Sequence, residues 1–416
     1  MAAEVITLPA PELSAVSPSA PNLAHLSLKD AEALLHQGNH ELKLARQAVE
    51  GATADSITAG QRPNPNVSIN SLSLTPQSGL GSGSLWQRTA DTSFRIDQLF
   101  ERGNKLELRK EAAHMNLTAV REDMQDILRS QKITLCGAYY ELLLAQERER
   151  IATENASLYQ KTLEATQLRH KAGDVSPSDV SRIRVDVLRA QNDMRQARAD
   201  REKSRLALAY LLGIESKIQE IQASDPWPDL IPLPVESPET LLDRRGDVRA
   251  AKARVVVAEK NHDLARALRT RDVTVGVQYE HFPPDNNNTV GLGLSFPLFV
   301  HSYFEGEIRR ADSDWQASKD NLNRVTAQAL QEINKTQSDL SASRERSQRF
   351  QNELLKAAKK AAEAAEFAYK HGAMGVLDLL DSRRTLYATQ LDAANTAADY
   401  AKALAAWRIF VEPMPQ

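Results

Sequence analysis

The sequence predicts a mainly α-helical protein with four β-strands. It reads as long antiparallel coiled-coil hairpins plus a β portion, built by internal duplication. Three observations carry this. Two helical patterns run for roughly 70 residues each, which at ~1.5 Å per residue is far longer than a globular helix and calls for coiled-coil packing. The order of elements recurs at one fixed offset along the chain. The 416 residues are 26% charged and only 5% aromatic, and mean hydropathy is −0.45. That leaves little core per residue, as solvent-washed helices require.

The elements follow in order. Residues 1–24 form a proline-rich arm, with prolines at 9, 11, 18 and 21 that deny amide donors and favour extended backbone. Residues 25–213 are read as repeat one. Leu28, Ala31, Leu34, Leu35, Leu42, Ala45 and Ala48 give a helical stripe over 27–59, ended by Arg62-Pro63-Asn64-Pro65. Strands are expected over 66–74 and 91–99, around a Gly/Ser-rich loop at 78–84. A long helix over 101–170 breaks at Lys171-Ala172-Gly173-Asp174 and returns over 177–212, where Gly213 stops it. Residues 214–237 form a proline-rich linker. Residues 238–410 repeat the order: a helix over 238–269, strands over 273–281 and 288–299, a long helix over 303–370, a break at His371-Gly372, and a return helix over 376–410. Residues 411–416 are a tail.

The duplication is explicit. An offset of 199 pairs Leu99-Phe100 with Leu298-Phe299 and Gly173 with Gly372. It also pairs Glu164 with Glu363, Lys171 with Lys370, Asp179 with Asp378, Arg184 with Arg383 and Asp200 with Asp399.

The strands alternate. Val273, Val275, Val277 and Tyr279 interleave with Thr274, Gly276, Gln278 and Glu280. Val290, Leu292, Leu294 and Phe296 interleave with Gly291, Gly293 and Ser295. In the second strand Phe94 and Ile96 oppose Arg95 and Asp97, whereas in the first Val67 and Ile69 oppose Leu72 and Leu74. Period-two alternation places the apolar groups on one face. Two readings stay open: a small sheet packed on helices, or membrane strands. Each piece is long enough to cross a bilayer when tilted. Four strands enclose no aqueous lumen, and an open sheet in lipid leaves edge amides unsatisfied. Membrane strands would therefore need several copies, and three copies give twelve strands, an even number as such barrels have.

Other features exclude functions. A net charge of −3 provides no basic field for nucleic acid. No apolar run reaches the length of a spanning helix. The single cysteine, Cys136, supports neither a disulfide framework nor a Cys-rich metal site. Met1-Ala2-Ala3-Glu4 has no signal-peptide pattern, so a cytosolic chain or an already removed leader is expected. No nucleophile elbow, phosphate loop or dinucleotide fingerprint is present, so no catalytic residue and no cofactor are expected. His36 and His40 have i, i+4 spacing but lack the Glu of a His-Glu-x-x-His pattern, and no metal site is assigned.

The duplicated order, the Gln98-Leu99-Phe100 and Phe296-Pro297-Leu298-Phe299 strand ends, and the Gly-centred breaks followed by Asp together resemble the TolC-type outer membrane efflux proteins. The second break, Tyr369 through Leu386, is similar to that family's repeat-two hairpin tip. Glu101-Arg-Gly-Asn-Lys-Leu-Glu-Leu-Arg109 resembles the Glu-x-Gly-Gly-Lys-Arg-x-x-Arg segment of the cobalt–zinc–cadmium-type (heavy-metal resistance-nodulation-division) subgroup, with Asn104 for its second Gly and Leu106 for its Arg. The resemblance implies a homotrimer with a 12-stranded β-barrel in the outer membrane of a Gram-negative bacterium and a helical tunnel in the periplasm. It also implies a periplasmic adaptor protein and a proton-driven inner-membrane pump as partners, with divalent heavy-metal cations as cargo. Organic compounds are the alternative cargo, and a periplasmic coiled-coil scaffold or adaptor is the alternative of another class.

Candidate functional residues cluster at the predicted tips. Asp378 and Asp381 share a helix face, and the resemblance places them at the constricted periplasmic end, where a trimer would ring the pore with carboxylates and favour cations. A competing reading is favourable placement at a helix N-terminus. Asp179 is the repeat-one counterpart, although Ser176-Pro177-Ser178-Asp179 also reads as a helix start. Gly173 and Gly372 reverse the chain where an adaptor would dock. Arg182, Arg184, Arg383 and Arg384 are placed to pair with the aspartates and hold the tips together, against the alternative of exposed, weakly paired arginines.

Overall fold

The computed structural model describes residues 22–72, 91–230, 237–282 and 287–411. Helices α1 (Leu28–Gly38) and α2 (His40–Ala59) precede β1 (Asn66–Leu72) and β2 (Asp91–Phe100). Then come α3 (Lys105–Lys171) and α4 (Pro177–Leu212). The second half follows with α5 (Pro238–Arg244), α6 (Gly246–Ala267), β3 (Val273–Phe282) and β4 (Asn287–Ser295). It ends with α7 (Glu305–Arg349), a π-helical turn (Phe350–Leu354), α8 (Leu355–Lys370) and α9 (Val376–Val411). The chain is mostly helical with one four-stranded sheet, and the two halves carry the same order of elements.

Several expected elements differ in detail. The single helix expected over 27–59 is two, because Asn39 leaves helical geometry while its Nδ2 donates to Leu211 O at 3.0 Å. The helix expected over 238–269 is also two, divided at the extended residue Arg245. The long helix of the second half contains the π turn, where the backbone bonding widens by one residue. The fourth strand stops at Ser295 rather than Phe299, since Pro297 has no amide to donate to a ladder. Leu74 and the 78–84 loop lie outside the described residues, as does most of the N-terminal arm.

Two compact units divide the chain. The first, the tip unit, combines residues up to His40 with Lys132–Pro232 and Leu340–Ala406. Its helices pack through thin apolar seams: Ala156, Tyr159, Leu163, Ile183, Val187, Ala190 and Leu380 form one buried cluster, and Leu144, Ile151, Ala394 and Ala398 another. The extended segment before α1 is pinned to the linker. Leu26 bridges Ala223 in parallel, and the buried Tyr139 hydroxyl donates to Leu26 O at 2.9 Å while accepting from Asp225 N–H at 3.2 Å. Where α1 ends against the end of α4, a methyl group at Gly38 would lie 1.9 Å from Leu212 O. Only glycine fits there.

The second, the sheet unit, combines Glu41–Gln131, Leu233–Asp339 and the chain from Trp407 onward. Its sheet has the order β1-β2-β3-β4, antiparallel throughout. The two repeats thus contribute one hairpin each and meet along β2 and β3. The last turns of α9 are held beside α6: Arg129 and Arg245 lie over the Phe410 ring at 5.2 and 5.4 Å. Arg245 also binds Asp247 and Glu332 at 2.8 and 2.7 Å.

Candidate functional site

The sheet has two chemically distinct faces. Across it, the register aligns Val67, Ile96, Val277 and Leu292 in one row, and Ile69, Phe94, Tyr279 and Val290 in the next. Apart from the half-buried Tyr279, these side chains are exposed, Leu292 by 85% and Val290 by 74%. The opposite face aligns Ser68, Arg95, Gln278 and Gly291, then Asn66, Asp97, Gly276 and Gly293. Within the described strands every Asp, Glu and Arg (Asp91, Arg95, Asp97 and Glu280) falls on this polar face. Val67 and Ile69 set the face of the first strand, and Leu72 falls with the polar set. Among the described residues of the single chain, β1 and β4 each keep one edge without a partner strand. A sheet packed on helices would bury its apolar face; here it is bare.

The junction from β2 into α3 uses the Glu101–Arg109 segment. Gly103 and Asn104 take left-handed φ of 73° and 60°, so Asn, which tolerates that conformation, can stand where a second Gly is usual. A methyl group at Gly103 would sit 2.8 Å from Thr270 Cβ. Lys105, with its side chain 8% exposed, donates to Thr270 O and Asp272 Oδ1, both at 2.8 Å. Asp272 Oδ1 also accepts from Arg102 N–H at 2.9 Å. Arg109 grips Glu101 through two bonds of 2.8 and 3.1 Å and caps the end of α2 by donating to Ala59 O at 3.0 Å. These charges fasten the strand–helix junction. Among the described residues no cluster of three or more His, Cys, Asp or Glu could hold a metal.

The tip unit contains the other predicted residues. Both turns use the same C-terminal motif: Gly173 and Gly372 take φ of 88° and 73°, and the next residue reaches back five positions, Asp174 N to Arg169 O and Ala373 N to Ala368 O. The return helices begin differently. Ser176 Oγ accepts from Asp179 N–H at 3.2 Å and donates to Asp179 Oδ2 at 2.8 Å, a reciprocal cap that occupies the Asp179 carboxylate. Asp378 follows Gly375 and has no such cap. Asp378 and Asp381 are exposed, and their carboxylates make no hydrogen bond or ion pair among the described residues.

Of the four predicted arginines, Arg384 Nη2 donates to Asp186 Oδ1 and Oδ2 at 2.7 and 2.8 Å, which pushes its pKa up. Arg383 donates to Thr162 Oγ1 at 2.5 Å and lies 3.6 Å from Glu366. Arg182 and Arg184 are exposed, with no ion pair among the described residues. An open cleft of about 520 Å³ brings Arg182, Asp186, Arg189, Asp378, Asp381 and Arg384 together; Asp179 and Arg184 do not line it. Asp186, with its side chain 9% exposed, was not singled out from the sequence. The offset of 199 places Thr385 opposite it, so the repeat hides it. Its position three residues after Ile183, on the buried stripe with Val187 and Ala190, is the signal that could have found it.

Known proteins agree with this architecture. The profile of the family described as outer membrane efflux protein matches residues 33–214 and 237–408. The chain is 27% identical over 380 residues to the cobalt-zinc-cadmium resistance protein CzcC of Cupriavidus metallidurans, spanning 88% of this chain and 85% of that protein. It is 25% identical over 388 residues to the pyoverdine export outer membrane protein OpmQ of Pseudomonas putida, spanning 86% and 79%. The crystal structure of the outer membrane protein VceC from Vibrio cholerae superposes with a TM-score of 0.77 at 20% identity, covering 92% of this chain and 95% of that one.

Proposed function

The chain belongs to the outer membrane efflux protein family, and from that premise we propose that it is the exit duct of a tripartite system exporting divalent heavy-metal cations. It works in the outer membrane of a Gram-negative cell and extends into the periplasm. The observation that carries the reading is the two-faced sheet. Its bare apolar face suits lipid, its polar face suits water, and its two open edges demand partners, because an unpaired edge in hydrocarbon is prohibitively costly. Three copies pool twelve strands into one closed barrel. A homotrimer is therefore the functional unit, fed by a periplasmic adaptor that docks at the Gly173 and Gly372 tips and by a proton-driven inner-membrane pump. Family members are passive channels rather than enzymes, so the energy comes from the pump.

At the tips, Asp378 and Asp381 supply six carboxylates per trimer where the bore narrows, a device that favours cations. Arg384, held to Asp186, braces the helix that carries them. The alternative of a soluble coiled-coil scaffold falls with the family assignment. The cargo reading draws on the likeness to CzcC, because Glu101, Lys105 and Arg109 of the Glu101–Arg109 segment are engaged in the junction. Organic cargo is the second reading, and the comparable likeness to OpmQ favours it. A tolerance assay decides. With the matched pump and adaptor present, deletion of this chain should sensitise cells to cobalt, zinc or cadmium. Unchanged metal tolerance with new sensitivity to organic toxicants would establish the second reading instead.

A further inference from the structure

The polar face of the sheet holds an arrangement that the duct reading does not need and does not explain. Arg95 Nε donates to Asp97 Oδ1 and Oδ2 at 2.9 and 2.8 Å. From β2 its guanidinium continues across β3 to β4. A methyl group at Gly276 would lie 2.9 Å from Arg95 Nη2 and 2.3 Å from Asp97 Oδ1, and one at Gly293 would lie 3.1 Å from Nη2. Gly276 and Gly293 are register partners. Neither has a left-handed φ, so backbone geometry does not require glycine at these sites. Glycine weakens a strand interior; what it provides here is a floor on which an arginine lies flat.

We infer that Arg95 is a tethered counter-charge on the lumen wall of the assembled barrel, and that its tether to Asp97 sets the ion preference of the membrane stage. The inference rests on the duct reading and deepens it. Paired with Asp97, Arg95 presents no net charge to a passing ion. Glu280 on this face, bonded to the neutral Gln278 amide at 3.3 Å, then keeps a negative charge on the wall that favours cations. Released from Asp97, three arginines per trimer would project into the water path. At 0.1 M salt the Debye length is ~10 Å, so an ion passing within about that distance of the wall feels its charges.

The test is the reversal potential of the purified full-length trimer in a planar bilayer under a KCl gradient. Asp97→Asn leaves Arg95 uncompensated, and the cation-over-anion permeability ratio should fall. Arg95→Gln leaves Asp97 uncompensated and should raise it. The double variant should return it near the starting value. Gly276→Ala crowds only the ends of flexible side chains; it should fold, lift the pair off the wall and lower the conductance. Should Asp97→Asn fail to assemble, Arg95→Gln decides alone. A ratio that does not move, or that moves the same way in both single variants, overturns the inference. This readout involves potassium and chloride only, so its failure is separate from a failure of the metal-tolerance assay. If the parent protein forms no channel, the duct reading and this inference fall together.

Discussion

Leu292→Arg distinguishes a lipid-facing sheet from a water-facing one by the sign of its effect. Leu292 lies in the central row with Val67, Ile96 and Val277, mid-way along β4, and is 85% exposed in the single chain. If this face meets water, adding an arginine is a surface change, worth no more than about 0.5 kcal/mol either way. If it meets hydrocarbon, an arginine near the bilayer midplane costs about 2–4 kcal/mol per copy. Three copies bring that to roughly 6–12 kcal/mol, comparable to the whole stability of a typical domain at about 5–15 kcal/mol. The matched control is Gln278→Arg, nearly level with Leu292 in the register but on the polar face. Outer-membrane fractionation and heat-resistant trimer migration on gels provide the assay. Leu292→Arg should lose the trimer from the outer membrane, and Gln278→Arg should keep it. Equal assembly of both variants would refute the face assignment and, with it, the pooled barrel.

Other substitutions test other parts of the structure. Gly38→Ala drives a methyl group to within 1.9 Å of the Leu212 carbonyl, and rigid backbone cannot yield; thermal unfolding should show a loss of about 1–3 kcal/mol. Gly51→Ala, in α2 with nothing within 4 Å, should instead gain about 0.5–1 kcal/mol. Burial alone would raise the pKa of Asp247, but two bonds from Arg245 outweigh it and hold the carboxyl below its usual value. The unfolded chain then binds the extra proton. Asp247 therefore adds stability above about pH 4, and that contribution is lost as pH falls through the depressed folded-state value. Asp247→Asn should flatten the acid limb of a stability–pH curve, and an unchanged limb would remove the pair from the acid transition. Neutralising Asp378 and Asp381 together should change single-channel conductance and lower cation preference; an unaltered reversal potential would clear them of any gating role.

Much of the fold was legible because its signals are local and repeated. The long stripes of α3, α7 and α8, the Gly-centred turns and the alternation in β2, β3 and β4 depend on spacing alone, and the duplication states each of them twice. The breaks at Asn39 and Arg245 were not legible, because a distant partner makes each one. Leu35, Leu42 and Ala45 continue the helical stripe straight through Asn39, where the chain turns and the side chain bonds Leu211 O. Arg245 leaves the helix to reach Asp247, Glu332 and the Phe410 ring. The expected fourth strand outruns the observed one for the opposite reason: Phe296 and Leu298 keep the alternation going after the ladder has ended at Ser295.

The tips show where a repeat misleads. An offset of 199 makes Asp179 and Asp378 equivalent, and both turns do share one cap geometry. The residues before the return helices are not equivalent. Ser176 spends the Asp179 carboxylate on a reciprocal cap, so that group acts on its own helix and is the weaker candidate for a pore ring. Repeat two has Gly375 at the matching position and offers no hydroxyl, so Asp378 and Asp381 remain exposed to solvent. The same asymmetry appears about two turns on. Asp186 is buried and needs the Arg384 guanidinium, whereas its offset partner Thr385 donates to the Asp381 carbonyl at 3.0 Å within its own helix. Duplication supplied two copies of a turn; divergence at Ser176 and Asp186 made one return helix the brace and left the other with the free carboxylates. Asp179→Asn should therefore weaken the start of α4 without shifting the reversal potential, whereas Asp378→Asn should shift it without weakening α9.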